Sequence, residues 1–272
     1  MIKNSPVIDI SHWNEVTDWS AVARSGVIGV IHKFSQGTGY RDPMFEAARE
    51  GCRKAGLLFG RYHFAEGSDV MAQVRNFLAD FDDDELLALD WEDNTSNSTG
   101  TMSLSQAVTF VTEVEGLTGQ LPVLYSGNVA KEALGSPNAT LAKCRLWLAH
   151  YADQPVCPPG WDKPWLWQWT DEGHNPGIVG NVDLDAYEGS EAALEAEWLG
   201  ERPPLLVPER PARPERHPHP RPPVAMEEEF DFISLIVPGS VSGGMLTLRV
   251  PRGAGLLIHT TGDPGDVVVS GA

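Results

Sequence analysis

Positive charge is scarce in this sequence. Its 272 residues hold 20 Lys and Arg against 38 Asp and Glu, a net charge of −18 with His neutral. A surface so acidic repels phosphate backbones and anionic bilayers, which argues against nucleic acid and membrane insertion. Long hydrophobic runs are missing as well: none approaches the ~20 residues that a spanning helix needs. The opening "MIKNSPVIDISHW" has a single Lys and no extended apolar core, so no signal peptide is expected. Cysteines number three, Cys52, Cys144 and Cys157, an odd count without metal-type spacing. Reduced structural thiols are the expectation, in keeping with folding in a cytoplasm; a Cys144–Cys157 bridge is the alternative. The histidines show no paired ligand spacing, so neither a metal nor another cofactor is expected.

What the chain does have is apolar material, 42% of its residues, enough for a sizeable core. Residues 1–199 read as one folded unit. The stretch "ERPPLLVPERPARPERHPHPRPPV" that follows alternates Pro with charge and keeps no apolar period. It marks residues 200–229 as an extended Pro/Arg-rich linker. Residues 230–272 show short β-type runs broken by Gly and Pro. A piece of roughly 43 residues is close to the lower limit for folding alone, so wall binding, anchoring or self-association is the expected use of this small β-rich segment.

In the first unit eight apolar runs recur: 6–11, 27–35, 57–65, 86–92, 121–127, 145–152, 165–170 and 181–187. Helix-like stretches separate the early ones. "DWSAVARSG" has spaced apolar positions and a closing Gly. "DPMFEAAREGCRKAG" opens on Asp42 and Pro43, read as N-cap and first helical residue, and ends at Gly56. "SDVMAQVRNFLADF" and "SLSQAVTFVTEVEGLTG" are two more. Strands alternating with helices predict a parallel sheet covered by helices. The connections around 153–164 and 171–180 are too short and Pro/Gly-rich for full helices. The expected fold is therefore α/β: an irregular, TIM-like (β/α) barrel with reduced C-terminal helices.

One stretch stands out, "LLALDWEDN" at 86–94. An apolar run leads straight into Asp90, Glu92 and Asp93. Asp90 and Glu92 are two apart and share a side of an extended chain. In such barrels chemistry gathers at the C-terminal ends of the strands, where Asp9 of "VIDIS" also falls. Asp183 and Asp185 lie in the last run. Runs one and eight are neighbours in a closed barrel, so Asp9 and Asp183 can converge and face Asp90 and Glu92 across the mouth. Carboxylates crowded in a partly dry cleft raise one another's pKa, and a protonated acid beside ionised ones is what glycosidic cleavage uses. A lone Asp is more often a helix cap or loop residue, and Asp93 and Asp185 are read that way.

Aromatics form a second cluster. "WDKPWLWQWT" holds four of the nine tryptophans, with Trp165, Trp167 and Trp169 alternating as on one face of a strand. Aromatic faces stack on sugar rings; equally, Trp fills the space between barrel and helices.

These blocks, "VIDISHWNEVTDW", "GVIGVIHKFSQGTGYRDPMF", "AGLLFGRYHF", "LALDWED", "LPVLYSG", "LWLAHYA", "WLWQWT" and "GNVDLDAY", occur in the order found in family 25 glycoside hydrolases, the N-acetylmuramidases of phage and fungal type. The resemblance covers residues 5 to about 190. It implies hydrolysis of the β-1,4 bond from N-acetylmuramic acid to N-acetylglucosamine in bacterial peptidoglycan. By that resemblance Glu92 is the general acid/base, and Asp90 orients and charge-stabilises the substrate. Asp9 and Asp183 complete the acidic cluster. Tyr62, Tyr125, Trp147 and Trp167 line the sugar cleft, with Lys33 and Gln36 of "HKFSQG" as further substrate contacts.

Two positions depart from the family pattern. Gln36 stands where Glu is usual, which bears on specificity and pH optimum more than on activity. His32 stands where an apolar residue is usual and is read as structural, whereas His12 and His63 are candidates for substrate contact. The implied setting is a phage endolysin or virion-associated lysin, made in a host cytoplasm and acting on the wall. Two other functions compete: a chitinase-like N-acetylhexosaminidase, which the Asp-x-Glu motif alone permits, and a non-catalytic glycan-binding barrel, which four crowded acids argue against.

Overall fold

The computed structural model describes residues 5–95 and 98–200 with their side chains, together with the backbone of four strands between 230 and 271. The expected linker at 200–229 lies, but for its first residue, outside the described residues. Two compact units are separable, Met1–Leu206 and Val207–Ala272.

Each of the eight apolar runs forms a strand. These are β1 (Val7–Ile10), β2 (Gly29–Gln36), β3 (Leu58–Phe64), β4 (Leu86–Asp90), β5 (Val123–Ser126), β6 (Leu146–Ala149), β7 (Leu166–Gly173) and β8 (Val182–Tyr187). They close into a barrel: β1 pairs with β2 on one side and with β8 on the other. β1 through β7 run parallel to their neighbours, whereas β8 is antiparallel to both β7 and β1. This corrects the expectation of an all-parallel sheet. The cause is the length of the connection from 174 to 181. A parallel crossover takes a dozen residues or more, while a shorter return makes a hairpin and reverses the strand. A small pairing of Glu15–Val16 with Ile178–Val179 ties that hairpin to the loop after β1.

Strand periodicity divides the apolar residues between two environments. Val7, Ile31, Leu86, Ala88, Val123, Trp147 and Leu166 point inward and fill the barrel. Ile8, Val30, Leu87, Leu89 and Leu124 point outward and pack under helices. The interior is thus a packed core and not a pore.

The helices are α1 (Trp19–Arg24), α2 (Phe45–Ala55), α3 (Val70–Leu78), α4 (Leu104–Thr118), α5 (Asn128–Ala133) and α6 (Glu191–Glu197). Asp18 and Asp69 cap α1 and α3 by accepting from backbone N–H groups. Ser103 and Gln106 form a reciprocal capping box on α4. α2 starts at Phe45 behind Met44, two residues later than the expected Pro43. Asp42 still braces that start: its Oδ1 accepts from the Met44 N–H at 3.0 Å, while its Oδ2 holds the His12 ring Nδ1 at 2.7 Å. Between β5 and β8 the helices shrink to α5 and one 3-10 turn, and the connections at 153–164 and 171–180 carry no helix, as their length and composition predict.

The end of the barrel opposite the chain's carboxyl-terminal strand ends is sealed by the turn after α6. Trp198 is buried there and donates its indole N–H to the Phe59 carbonyl at 3.0 Å. Its ring packs so closely on Gly29 that an added Cβ would sit 2.4 Å away, so β2 must begin with glycine. Outside the barrel, the buried Arg61 guanidinium pairs with Glu85 and with Phe77, Ala79 and Asp80 carbonyls, locking β3 to the end of α3. All three cysteines are free, so the Cys144–Cys157 bridge does not form. No helix among the described residues is long and apolar enough to cross a membrane.

In the second unit, Phe230–Ile236 pairs antiparallel with Met245–Pro251, and Leu256–Thr260 with Val267–Gly271. β structure is what the short runs there predict.

Candidate active site

The open end of the barrel carries a cavity of about 340 Å³, lined by Asp9, Asp90, Glu92, Asp183, Asp171 and Lys33, with Tyr62, Tyr125, Tyr151, Trp13, Trp147 and Gln168 among the others. A second cavity of about 420 Å³ adjoins it between the ends of β4, β5 and β6. Glu92, Tyr125 and Tyr151 belong to both. The two form one groove, with Glu92 at its middle.

The route to Glu92 is local. β4 ends at Asp90, and the next residue, Trp91, is fully buried. Its indole donates to the Met102 carbonyl at 2.8 Å, its N–H to the Tyr125 carbonyl at 2.9 Å, and its own carbonyl accepts from Ser126 Oγ at 2.7 Å. An anchor of this kind stops the chain from fraying past the strand and delivers Glu92 to the groove half-buried. Asp90 sits lower, 6% exposed, and its Oδ1 is buried without a hydrogen-bond donor.

On the far side of the mouth Asp9 pairs in register with Asp183. Asp183 reaches the mouth because β8 is antiparallel: the acid stands at the start of its strand, not at the end as expected. Asp9 Oδ2 accepts from Gln168 Nε2 at 2.8 Å, and Gln168 Oε1 accepts from the hydroxyls of Tyr125 at 2.8 Å and Tyr151 at 2.9 Å. Asp185 is not the cap or loop acid that the sequence suggested. It points into the barrel, wholly buried, with Oδ1 on the Trp147 indole N–H at 2.6 Å. Asp93 does lie at the surface and accepts from Thr101.

The electrostatics follow from burial and crowding. Burial raises Asp9 well above the usual carboxylate range, reinforced by Asp185 and Asp183. Asp90 is raised likewise by burial and by Glu92, and opposed by Lys33. Glu92 is raised by burial, with Lys33 lowering it and Asp183 and Asp93 raising it. Asp183 is pushed to about 6 and Asp185 to about 8, burial being the main cause in each. Lys33 is the one cation among the described lining residues, and burial lowers its pKa against the pull of Asp90, Asp42 and Glu92. A groove-facing carboxyl held protonated at mild pH can donate to a leaving oxygen, while ionised neighbours steady developing positive charge.

Of the residues expected at the site, the mouth brings together Asp9, Asp90, Glu92, Asp183, Lys33, Tyr62, Tyr125 and Trp147. Trp167 is not there. On β7 the inward residues are Leu166 and Gln168, so Trp167 faces outward, packs with Leu146 and Leu148, and donates to the His150 carbonyl at 2.7 Å. Gln36 does not line the cavity either. Its Oε1 accepts from Lys33 Nζ at 2.8 Å and its Nε2 donates to Glu66 at 3.0 Å, so it holds Lys33 from behind. His63 is buried between Ser35 and Gln73, away from any substrate. His12 is at the rim, its ring centre 4.5 Å from that of Trp13 and tilted 39° to it. Sequence reasoning missed Trp13, Tyr151, Gln168 and Asp185. Trp13 is 85% exposed at the edge of an acidic cavity, a position that suits ring stacking on a ligand. The alternation of Leu166 with Gln168 was the signal for Gln168.

Comparison with known proteins points to one family. The model of glycosyl hydrolases family 25 matches residues 8–178. "Lysozyme M1" of Streptomyces globisporus is 30% identical over 204 residues, which span 70% of this chain and 69% of that protein. The "N,O-diacetylmuramidase" of a Chalaropsis species is 30% identical over 198 residues, 64% of this chain and 94% of that protein. Among solved structures, the bacterial lysozyme from Streptomyces coelicolor superposes with a TM-score of 0.64 at 30% identity, covering 70% of this chain and 95% of that one.

Proposed function

Because the chain belongs to glycosyl hydrolases family 25, and is a glycoside hydrolase of the muramidase kind, we propose that it cleaves the β-1,4 bond between N-acetylmuramic acid and N-acetylglucosamine of bacterial peptidoglycan. The observation that carries this reading is Glu92: a half-buried carboxyl at the middle of a continuous groove, with its pKa raised by burial.

Glu92 donates its proton to the glycosidic oxygen as the C–O bond breaks. The substrate's 2-acetamido oxygen closes on C1 from the opposite face, and Asp90, which lines the mouth, accepts the acetamido N–H and orients that group. Glu92, now a carboxylate, takes a proton from water, which opens the ring intermediate with net retention at C1. Asp9 and Asp183 provide negative potential for the oxocarbenium-like transition state. Tyr62, Tyr125 and Trp147 shape the floor, and Lys33 keeps Glu92 and Asp90 from repelling each other fully. The proposal extends to the setting: a lysin of phage type acting on the wall, with residues 230–272 serving wall binding, virion anchoring or self-association.

The test uses the full chain and purified peptidoglycan, wild type beside Glu92→Gln. Released ends are reduced with borohydride and identified by mass spectrometry. Reduced muramic acid ends from the wild type, and a drop of about 100-fold or more in kcat for a folded Glu92→Gln, are expected. Reduced glucosamine ends alone, or a parallel digest that releases oligomers only from chitin, would replace the muramidase assignment with an N-acetylhexosaminidase. An unimpaired Glu92→Gln would remove Glu92 from catalysis.

A further inference from the structure

Asp185 is a buried acid that the proposed reaction does not use. It lies one strand layer beneath the mouth, opposite Val7 in the β1–β8 ladder, and is fully inaccessible. Burying a carboxylate is costly unless its oxygens are hydrogen-bonded. One oxygen is satisfied by the Trp147 indole. The other, Oδ2, is enclosed and receives neither an N–H nor an O–H. Within hydrogen-bonding reach of this carboxyl lies that of Asp9. Two carboxyls can hydrogen-bond only through a proton that one of them keeps.

We infer that Asp185 is a positioning residue: it shares one proton with Asp9, and that proton fixes the Asp9 carboxyl at the floor of the mouth. The surrounding donors are arranged around the pair as a whole. Trp147 donates to the Asp185 end, and Gln168 to the Asp9 end. Gln168 is oriented by its Oε1, which accepts from both Tyr125 and Tyr151. Thus each end receives one N–H, and the position between the carboxyls is left to the shared proton.

Of the charged groups around the pair, Asp183 on β8 raises both members and favours retaining that proton. Asp90 and Glu92, at and after the end of β4, and the phenols of Tyr62, Tyr125 and Tyr151 line the same mouth. Lys33, on β2, faces Asp90, Asp42, Glu92 and Glu66 instead. No cation among the described residues compensates the Asp9–Asp185 pair, which burial and Asp183 raise together, Asp185 to about 8.

The inference rests on the proposed reaction for its catalytic meaning, but its test has a readout that needs no substrate. Infrared difference spectra of the full chain at neutral pH, wild type minus Asp185→Asn, report a protonated carboxyl directly. The expected result is a protonated C=O band lost in the variant. Turnover of peptidoglycan supplies the second readout. Asn keeps an acceptor for Trp147 and offers Asp9 a fixed N–H, so Asp185→Asn should stay within a few-fold of wild type. Asp185→Leu, which offers no donor, should lose about tenfold or more in kcat. An unchanged carboxyl band in Asp185→Asn overturns the shared proton, and a folded Asp185→Leu as active as Asp185→Asn overturns the positioning role. Should Asp185→Leu fail to fold, the band and the turnover of Asp185→Asn decide. If wild type itself leaves peptidoglycan intact, the proposed reaction fails while the infrared result still stands.

Discussion

The two halves of the mouth use the same short pattern, an Asp, one residue, then a second acid, and reach opposite ends. In Asp90-x-Glu92 the second acid moves outward. β4 runs toward the mouth and stops at Asp90, so two further residues carry Glu92 to the groove. In Asp183-x-Asp185 the second acid moves inward. β8 runs away from the mouth, so two further residues carry Asp185 down into the barrel and onto Trp147. One half has a cation, Lys33, and a half-exposed acid; the other has no cation among the described residues, and its deeper carboxyl is shut off from the surface. Spacing places two side chains on one side of a strand, but strand direction decides which of them meets the substrate.

Lys33→Met is the sharpest way to break this contrast. Lys33 acts on Asp90 and Glu92 and not on the Asp9 side. Its removal should lower kcat by about tenfold. Lys33 lowers the Glu92 pKa, so its loss should move the alkaline limb of the rate profile upward. A limb that stays put would show that the cation is not coupled to the acid.

A smaller effect is expected on stability. The native carboxyl of Asp185 titrates at about 8, whereas an unfolded Asp titrates at about 3.9. Between those values the native state binds more protons than the unfolded one, so this acid's contribution is full at low pH and is lost as pH rises toward 8. Thermal unfolding of the wild type should therefore fall across that window and that of Asp185→Asn should fall less. The difference should amount to about 2–4 °C for each kcal/mol of relieved burial. Parallel curves would mean that Asp185 carries no excess proton in the fold.

Least of all should Trp167→Phe matter to turnover. Its indole lies outside the barrel, so kcat/KM on peptidoglycan should stay within about twofold, with any loss appearing in stability as expected for a trimmed buried aromatic. A large change in KM would return Trp167 to the groove.

Much of this was legible in the sequence, and the reasons for the rest are specific. The eight strands were readable because each is an apolar run buried on both faces, as barrel strands are. Asp90 and Glu92 stood out because acids rarely follow such a run without purpose. The direction of β8 was not readable from its own residues; it is set by the length of the hairpin before it. Without that direction Asp185 looked like a surface acid. Trp167 was misplaced because alternation gives two faces without saying which is inner, and here the polar Gln168 faces in to hold Asp9. Asp42 had the right spacing for a cap and does accept from the Met44 N–H, but its second oxygen serves His12, thirty residues earlier, which no local pattern announces.

Closure of the barrel between its first and last strands has a bearing on the order of events during synthesis. β1 leaves the ribosome before the rest of the barrel, and one of its two edges is completed only by β8. Until then Asp9 lacks Asp183, Asp185 and the Gln168 amide. Chains are made at about 5–20 residues per second, so the mouth stays unassembled for the whole interval between residues 9 and 185. A chain that ends between Glu92 and β8 thus has the proposed proton donor without the floor beneath it.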